Sequence, residues 1–148
     1  MQRAALGRSD IKDCFLNMAT RGTGVGGFAK GRAFVVDDLG QRNPFEDIPP
    51  GSILVAKTVS LSDSTLIDFK NVLGMVTECD PDGHVCLLAR GIGIPAVVGI
   101  EGCTSGIIRG DRVIIQNLDV IVNPDLEAVN TFDRLRKEAD TQLSLDLQ

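Results

Sequence analysis

The apolar residues of this chain come in short runs. Ile53-Leu-Val-Ala56, Gly74-Met-Val-Thr77, Pro95-Ala-Val-Val-Gly99, Arg112-Val-Ile-Ile-Gln116 and Val120-Ile-Val122 are rich in Val and Ile, and Gly, Pro, Asn or Asp stand close beside them. β-Branched side chains lose rotamer freedom in a helix and pack well on a pleated surface. Runs this brief, punctuated this way, predict short buried strands. Gly31 leads into a further one, Arg32-Ala-Phe-Val-Val-Asp37. Between the strands lie helical segments. Ser62 is expected to cap a helix through Asn71, with Leu66, Ile67 and Phe69 as core residues. Asn123-Pro124 reads as a helix start, and Leu126, Val129, Phe132, Leu135 and Ala139 as that helix's buried stripe. Ser9 is expected to cap an earlier helix bearing Ile11, Cys14, Phe15 and Met18, after a loose tail over residues 1–8. Strands alternating with helices, and two late strands close together, predict an α/β fold. Its core is a mixed sheet or partly closed barrel with packed helices.

A chain of 148 residues, 43% apolar and 24% charged, fits one domain with an ordinary core. The division expected is an N-terminal tail and short helix over residues 1–21, then one domain over 22–148 ending in the C-terminal helix. A net charge of −5, with no Trp or Tyr for base stacking, argues against nucleic acid. The apolar run 94–100, broken by Pro95, is far short of the roughly 20 residues that span a bilayer, so no membrane association is expected. The first residues carry no apolar secretion signal, which makes the cytoplasm the expected compartment. Cys14, Cys79, Cys86 and Cys103 form no Cys-x-x-Cys pair and read as ordinary thiols.

Gly22, Gly24 and Gly27 satisfy Gly-x-Gly-x-x-Gly, but a strand follows them rather than a helix. A dinucleotide fingerprint needs the helix, whose N-terminus meets the pyrophosphate, so that reading is rejected. Cys79, Asp80, Asp82, His84 and Cys86 crowd eight positions, yet lack the well-spaced four-ligand pattern of structural zinc, and no metal is expected. A Cys–His nucleophile is set aside because nothing supplies an oxyanion hole.

One stretch carries more information than the rest. His84-Val-Cys-Leu-Leu-Ala-Arg90 places the only histidine ahead of a short apolar helix, and Gly-Ile-Gly-Ile-Pro95-Ala-Val-Val-Gly99 leads from it into a strand. It resembles the site of the swivelling, phosphohistidine-carrying mobile domain of phosphoenolpyruvate-utilising enzymes. That family reads roughly Gly-Gly-x-Thr-Ser-His-x-x-Ile-x-Ala-Arg, then Ile/Leu-Pro-Ala-Val-Val-Gly. His84, Leu87, Ala89, Arg90 and Pro95 through Gly99 match it. The Gly-rich stretch 21–27, Ile53-Leu-Val-Ala-Lys-Thr58, Ser62-Asp-Ser-Thr65, Gly110-Asp-Arg-Val113 and Val122-Asn-Pro124 look similar to the mobile domain of enzyme I of the sugar phosphotransferase system.

The resemblance implies a three-layer β/β/α swivelling fold and a phosphotransferase component whose intermediate is a phosphohistidine at His84. It also implies Gly83 beside the histidine, and Gly24, Gly26, Gly27 and Arg90 around the phosphate. A neutral imidazole with a free pKa of ~6.5 suits such a relay, and a helix N-terminus offers N–H donors to a phosphate. Pro81 is expected at the first position of that helix. Arg90, off the helical face of His84, is expected in a structural ion pair more than on the phosphate.

The sequence departs from the family just before the histidine, where Cys79-Asp-Pro-Asp82-Gly83 replaces the paired glycines and hydroxyls. Asp82 either holds the imidazole in one tautomer or, with Gly83, only caps the helix of a site that has lost transfer. The loop 38–50 stands where the family's helical docking subdomain is inserted, and the family's phosphoenolpyruvate-binding barrel is expected to be a separate polypeptide, since it has no counterpart within these 148 residues. The expected function is therefore a stand-alone carrier. It binds no cofactor of its own and receives a phosphoenolpyruvate-derived phosphoryl group from a separate barrel protein or subunit. It then passes that group to an acceptor protein or small molecule. Apolar residues on the first or last helix make a homo-oligomer conceivable. The alternative is a catalytically idle structural or regulatory module of the same fold.

Overall fold

The computed structural model describes residues 20–36, 45 and 47–146, with side chains through Thr141. Eight strands form one sheet: β1 (Thr20–Arg21), β2 (Thr23–Val25), β3 (Phe28–Val36), β4 (Ser52–Ala56), β5 (Val72–Thr77), β6 (Ala96–Val98), β7 (Arg112–Gln116) and β8 (Asp119–Val122). Their spatial order is β1-β8-β7-β3-β4-β5-β6-β2. β3, β4, β5 and β6 run parallel, while β7 on β3, β8 on β7, β1 on β8 and β2 on β6 are antiparallel. The two ends of this order, β1 and β2, are consecutive in the chain. One short segment therefore joins both edges and rolls the mixed sheet into a barrel, as the pattern of short strands predicts.

Gly22 is the crossing point. Its N–H donates to Leu118 O at 3.0 Å, and a Cβ there would stand 2.3 Å from Val98 O. No side chain fits that gap. The residues read as a Gly-rich turn are thus two strands, and β3 begins at Phe28, four residues before the expected Arg32.

Alternation along β4 shows the layering. Ile53 and Val55 point into the barrel with Ala33, Val35, Val76, Val97, Val113 and Ile115. Leu54 and Ala56 point outward, to a layer shared with Met75, Val85 and Ala89. Val85 and Ala89 belong to the helix α2 (His84–Ile92), which covers that side. Two sheet walls and a helical layer give the β/β/α arrangement that the resemblance implied.

The other helices depart from expectation in their caps and lengths. α1 covers only Leu61–Ser64 and is capped by Ser60 and Asp63 in a reciprocal box, rather than running from Ser62 to Asn71. The chain then turns, and Asp68 caps a separate 3₁₀ turn over Phe69–Asn71. Ile67 is buried as expected, Phe69 half-buried, and Leu66 exposed. α3 is the single turn Cys103–Gly106. α4 (Leu126–Asp146) starts after the expected Asn123-Pro124. Asp125 is its cap, accepting from Ala128 N at 2.9 Å. Asn123 sits in the left-handed region and accepts from Arg112 N instead. Of the expected stripe only Phe132 is buried, against Ile114 and Ile121. Val129 and Leu135 are half-buried, while Leu126 and Ala139 are exposed because the helix touches the sheet only near Phe132. The predicted helix around Ile11–Met18 and most of loop 38–50 lie outside the described residues.

Gly22→Val is expected to destabilise the protein by about 2–4 kcal/mol, because the new side chain would collide with the Val98 carbonyl and with the packed side chains of Val97 and Ile100. Gly91→Ala, in the last turn of α2 with open space around its Cβ position, is expected to stabilise it by roughly 0.5 kcal/mol. Urea denaturation midpoints of the two variants test the contrast.

Candidate functional site

The site sits where β4 and β5 end. Glu78 N donates to both Ala56 O (3.3 Å) and Lys57 O (3.1 Å), and Cys79 N to Lys57 O at 3.0 Å. Buried Thr77 turns its hydroxyl back to donate to Cys79 O at 3.0 Å. These bonds strap the exit of one parallel strand to that of its neighbour. Glu78 adds a side-chain anchor: its Oε2 accepts from Thr104 Oγ1 at 2.6 Å and Thr104 N at 3.2 Å. The carboxylate thereby caps α3 and fixes that turn to the base of the site loop.

The loop itself is a tight turn. Gly83 N donates to Asp80 O at 3.2 Å, and Gly83 takes a left-handed φ of 74° that favours glycine. α2 then begins at His84, three residues after Pro81, so the proline belongs to the turn and not to the first helical position. Asp80 is the cap. Its Oδ1 accepts from Val85 N at 3.0 Å and its Oδ2 from Cys86 N at 3.3 Å. One carboxylate thus satisfies two free donors of the first turn and offsets the positive end of the helix dipole.

His84 is half-buried at the first helical position. Among the described residues neither its imidazole nor its own N–H has a hydrogen-bond partner. Asp82 is exposed and makes no hydrogen bond to His84, so the orienting contact is not formed. Nor does Asp82 cap the helix, since Asp80 does. Arg90 is exposed in the last turn of α2 and forms no ion pair among the described residues, where one was expected. It follows His84 by six residues, about 9 Å along the axis and on another face.

The three glycines divide. β2 lies against α2, where Val25 packs on the layer holding Val85 and Ala89. Gly24 has its bare Cα against Ala96 O, and Gly27 faces the Pro95 ring, so both are required by the approach of β2 to β6. Gly26 is exposed, and a Cβ there would have ordinary contact with Asn117.

Two thiols near the loop, Cys86 and Cys103, hold their protons. Burial pushes the Cys86 thiol up, and the Asp80 carboxylate pushes it further. Cys103 is pushed up to about 12, chiefly by burial and then by the Glu78 charge. Neither is a thiolate nucleophile at neutral pH. Exposed Cys79 donates to Lys57 O at 3.6 Å. Among the described residues no three His, Cys, Asp or Glu side chains converge as a metal cage would require, and no helix is long and apolar enough to cross a membrane.

Sequence reasoning located His84, its helix and Asp80-Pro81 at the helix start, but missed the reach of the Asp80 carboxylate to Val85 N and Cys86 N, and missed Glu78. Asp80-Pro-Asp-Gly83, read as a turn whose first side chain reaches over to the following helix, would have found the first. Glu78 bonds a residue 26 positions away and left no local signal.

Comparison with known proteins bears on this site. Residues 48–118, which contain the loop and His84, match the family model described as PEP-utilising enzyme, mobile domain. The chain is 25% identical over 131 residues to the phosphoenolpyruvate-protein phosphotransferase of Buchnera aphidicola subsp. Baizongia pistaciae, covering 80% of this chain and 23% of that protein. It is 31% identical over 127 residues to the phosphoenolpyruvate-protein phosphotransferase of Streptomyces coelicolor, covering 77% of this chain and 23% of the relative. The chain thus spans about a quarter of the length of these curated relatives. Among solved structures it resembles the solution structure of Enzyme I (nEIt), with 30% identity and a TM-score of 0.57, over 65% of this chain and 40% of that one.

The raised Cys103 pKa sets an alkaline limit on stability. In the unfolded chain this thiol loses its proton from pH ~8.5 upward, whereas in the folded chain it holds the proton to about pH 12. The unfolded state therefore binds fewer protons in that window, and folding stability falls as pH rises, by at most about 1.4 kcal/mol per pH unit. With no Tyr in the chain, Cys103→Ala is expected to flatten the decline in urea stability between pH 8 and pH 10. An equally steep decline in the variant would refute this origin.

Proposed function

Residues 48–118 belong to the family of mobile domains of phosphoenolpyruvate-utilising enzymes, and on that premise we propose that His84 carries a phosphoryl group between two other proteins or subunits. The observation that carries the reading is the state of His84. It stands at the start of α2, half-exposed, with ring and N–H both without a hydrogen-bond partner among the described residues. A ring nitrogen attacks phosphorus, the bond to the donor oxygen breaks, and the electron pair leaves with that oxygen. Where the donor is phosphoenolpyruvate on a partner barrel, the leaving enolate is protonated to pyruvate. Reversal of the same step on an acceptor empties the carrier. Such transfer depends mainly on in-line positioning and charge stabilisation. Here the N–H of His84 is the first-turn donor that Asp80 leaves open. The reading requires a separate phosphoenolpyruvate-binding partner and a phosphoryl acceptor, and places the chain in the cytoplasm.

One observation favours the alternative, an idle module that keeps the fold. Asp80 already occupies the helix end where an anion would dock, engaging Val85 N and Cys86 N. A phosphoryl group on His84 would meet that carboxylate at a cost on the order of 1–4 kcal/mol. On the carrier reading, this repulsion makes the phosphohistidine a stronger donor. On the idle reading, it prevents loading.

Intact mass after incubation with phosphoenolpyruvate and a purified bacterial phosphoenolpyruvate-protein phosphotransferase, or a cell extract, separates the two. The carrier reading expects an acid-labile adduct of one phosphoryl group, absent in His84→Ala. Asp80→Asn is expected to raise its occupancy by about tenfold, as removal of ~1.4 kcal/mol of repulsion would. An adduct in Asp80→Asn alone, or in neither protein, would favour the idle module.

A further inference from the structure

Away from His84, two arginines face each other across the sheet. Arg32 on β3 and Arg112 on β7 are direct partners in the antiparallel register. Side chains so placed have Cβ atoms roughly 4.5–5.5 Å apart, and like charges there are destabilising. Both residues are exposed. Arg32 Nη1 donates to Gly110 O at 3.0 Å, a neutral acceptor that orients the group without offsetting its charge. The guanidinium of Arg112 has no partner among the described residues. Lys30 lies two positions before Arg32, on the same face of β3, with Asp133 at 3.3 Å as its partner. Among the described residues, Asp133 is the one carboxylate in an ion pair with any of these three cations, in a chain whose net charge is −5.

The three cations line one cleft of about 280 Å³, whose other walls include Ile114, Pro124 and Val129. Its volume suits a small molecule. Guanidinium forks suit the paired oxygens of phosphate and carboxylate groups.

We propose that the Arg32–Arg112 cleft binds a small, multiply charged anion bearing phosphate or carboxylate groups, with an apolar part against Ile114 and Pro124. The bound anion supplies the charge that the cross-strand pair lacks. Occupancy needs no reaction at His84, so the two sites are separable by experiment.

Thermal unfolding of the whole chain at low ionic strength, with inorganic pyrophosphate and citrate as separate probes, tests the proposal. Removing a like charge is expected to raise the midpoint of ligand-free Arg112→Gln by about 1–3 °C. In the unaltered protein, a probe at a hundred times its Kd is expected to raise the midpoint by roughly 5–10 °C. That gain should vanish in Arg112→Gln and persist in His84→Ala. A response to pyrophosphate alone identifies a phosphate ligand, and to citrate alone a carboxylate one. Amide spectra should move at Gly31, Arg32 and Val113 on binding and stay fixed over residues 84–88. No response to either probe, as a site for an acidic protein segment would give, overturns the proposal. So does a response that survives in Arg112→Gln, or a ligand-free variant less stable than the parent.

Discussion

Gly22 N–H reaches Leu118 O in the turn just before β8, while on its other side the same residue leaves no room for a Cβ beside Val98 O on β6. This backbone approach turns an open eight-stranded sheet into a barrel. An open sheet would leave β6 and β8 as unpaired edges with exposed N–H and C=O groups. Here β1 and β2 cover both with a segment only six residues long, and Gly24 repeats the device two residues further along β6, at Ala96 O. Closure brings β2 under α2, so Val25 supports the helix that opens with His84. The orientation of the histidine thus depends on glycines far from it in sequence.

The second constraint is electrostatic. A helix start offers donors and positive charge to any nearby anion, and in this chain the first anion to claim them is internal. Asp80 reaches two amides, leaving His84 with its own N–H as the open donor at that end. The family's hydroxyls would donate to a phosphate. Asp80 and Asp82 can only accept. The chemistry open to the site is therefore set less by the imidazole, which is unencumbered, than by the charge already present around it. Glu78 does not add to that charge at the helix, because its carboxylate is turned to Thr104.

The strands were legible because their signal is local. Val, Ile and Ala in brief runs bounded by turn residues read as strands whichever partners they find. The barrel was legible only as an option, since closure depends on pairing Thr20–Arg21 with residues 98–100 positions away and Thr23–Val25 with residues 71–75 positions away. Caps were misplaced by two residues, at Ser62 for Ser60 and at Asn123 for Asp125, because several capping residues stand side by side and tertiary geometry selects among them. Asn123 was drawn off to Arg112 N across the β7–β8 hairpin. The stripe expected on α4 failed for another reason. Periodicity identifies a face, but only contact buries it, and the sheet meets that helix near Phe132 alone.

The two charged regions of the molecule stand at opposite ends of its parallel strands. Ser52 pairs with Arg32 at the start of β4, and Ala56 at its end is bonded to the site loop through Glu78 N. Four residue steps of strand separate them, about 13 Å. That exceeds the screening length of roughly 8 Å at physiological salt. Charge added or removed at His84 is therefore felt only weakly at Arg112 through solvent. Any stronger coupling would have to pass through β4, whose side chains are packed on both faces and have little freedom to shift. The fold thus holds a cationic cleft and an acid-flanked histidine in one small domain with little electrostatic coupling between them.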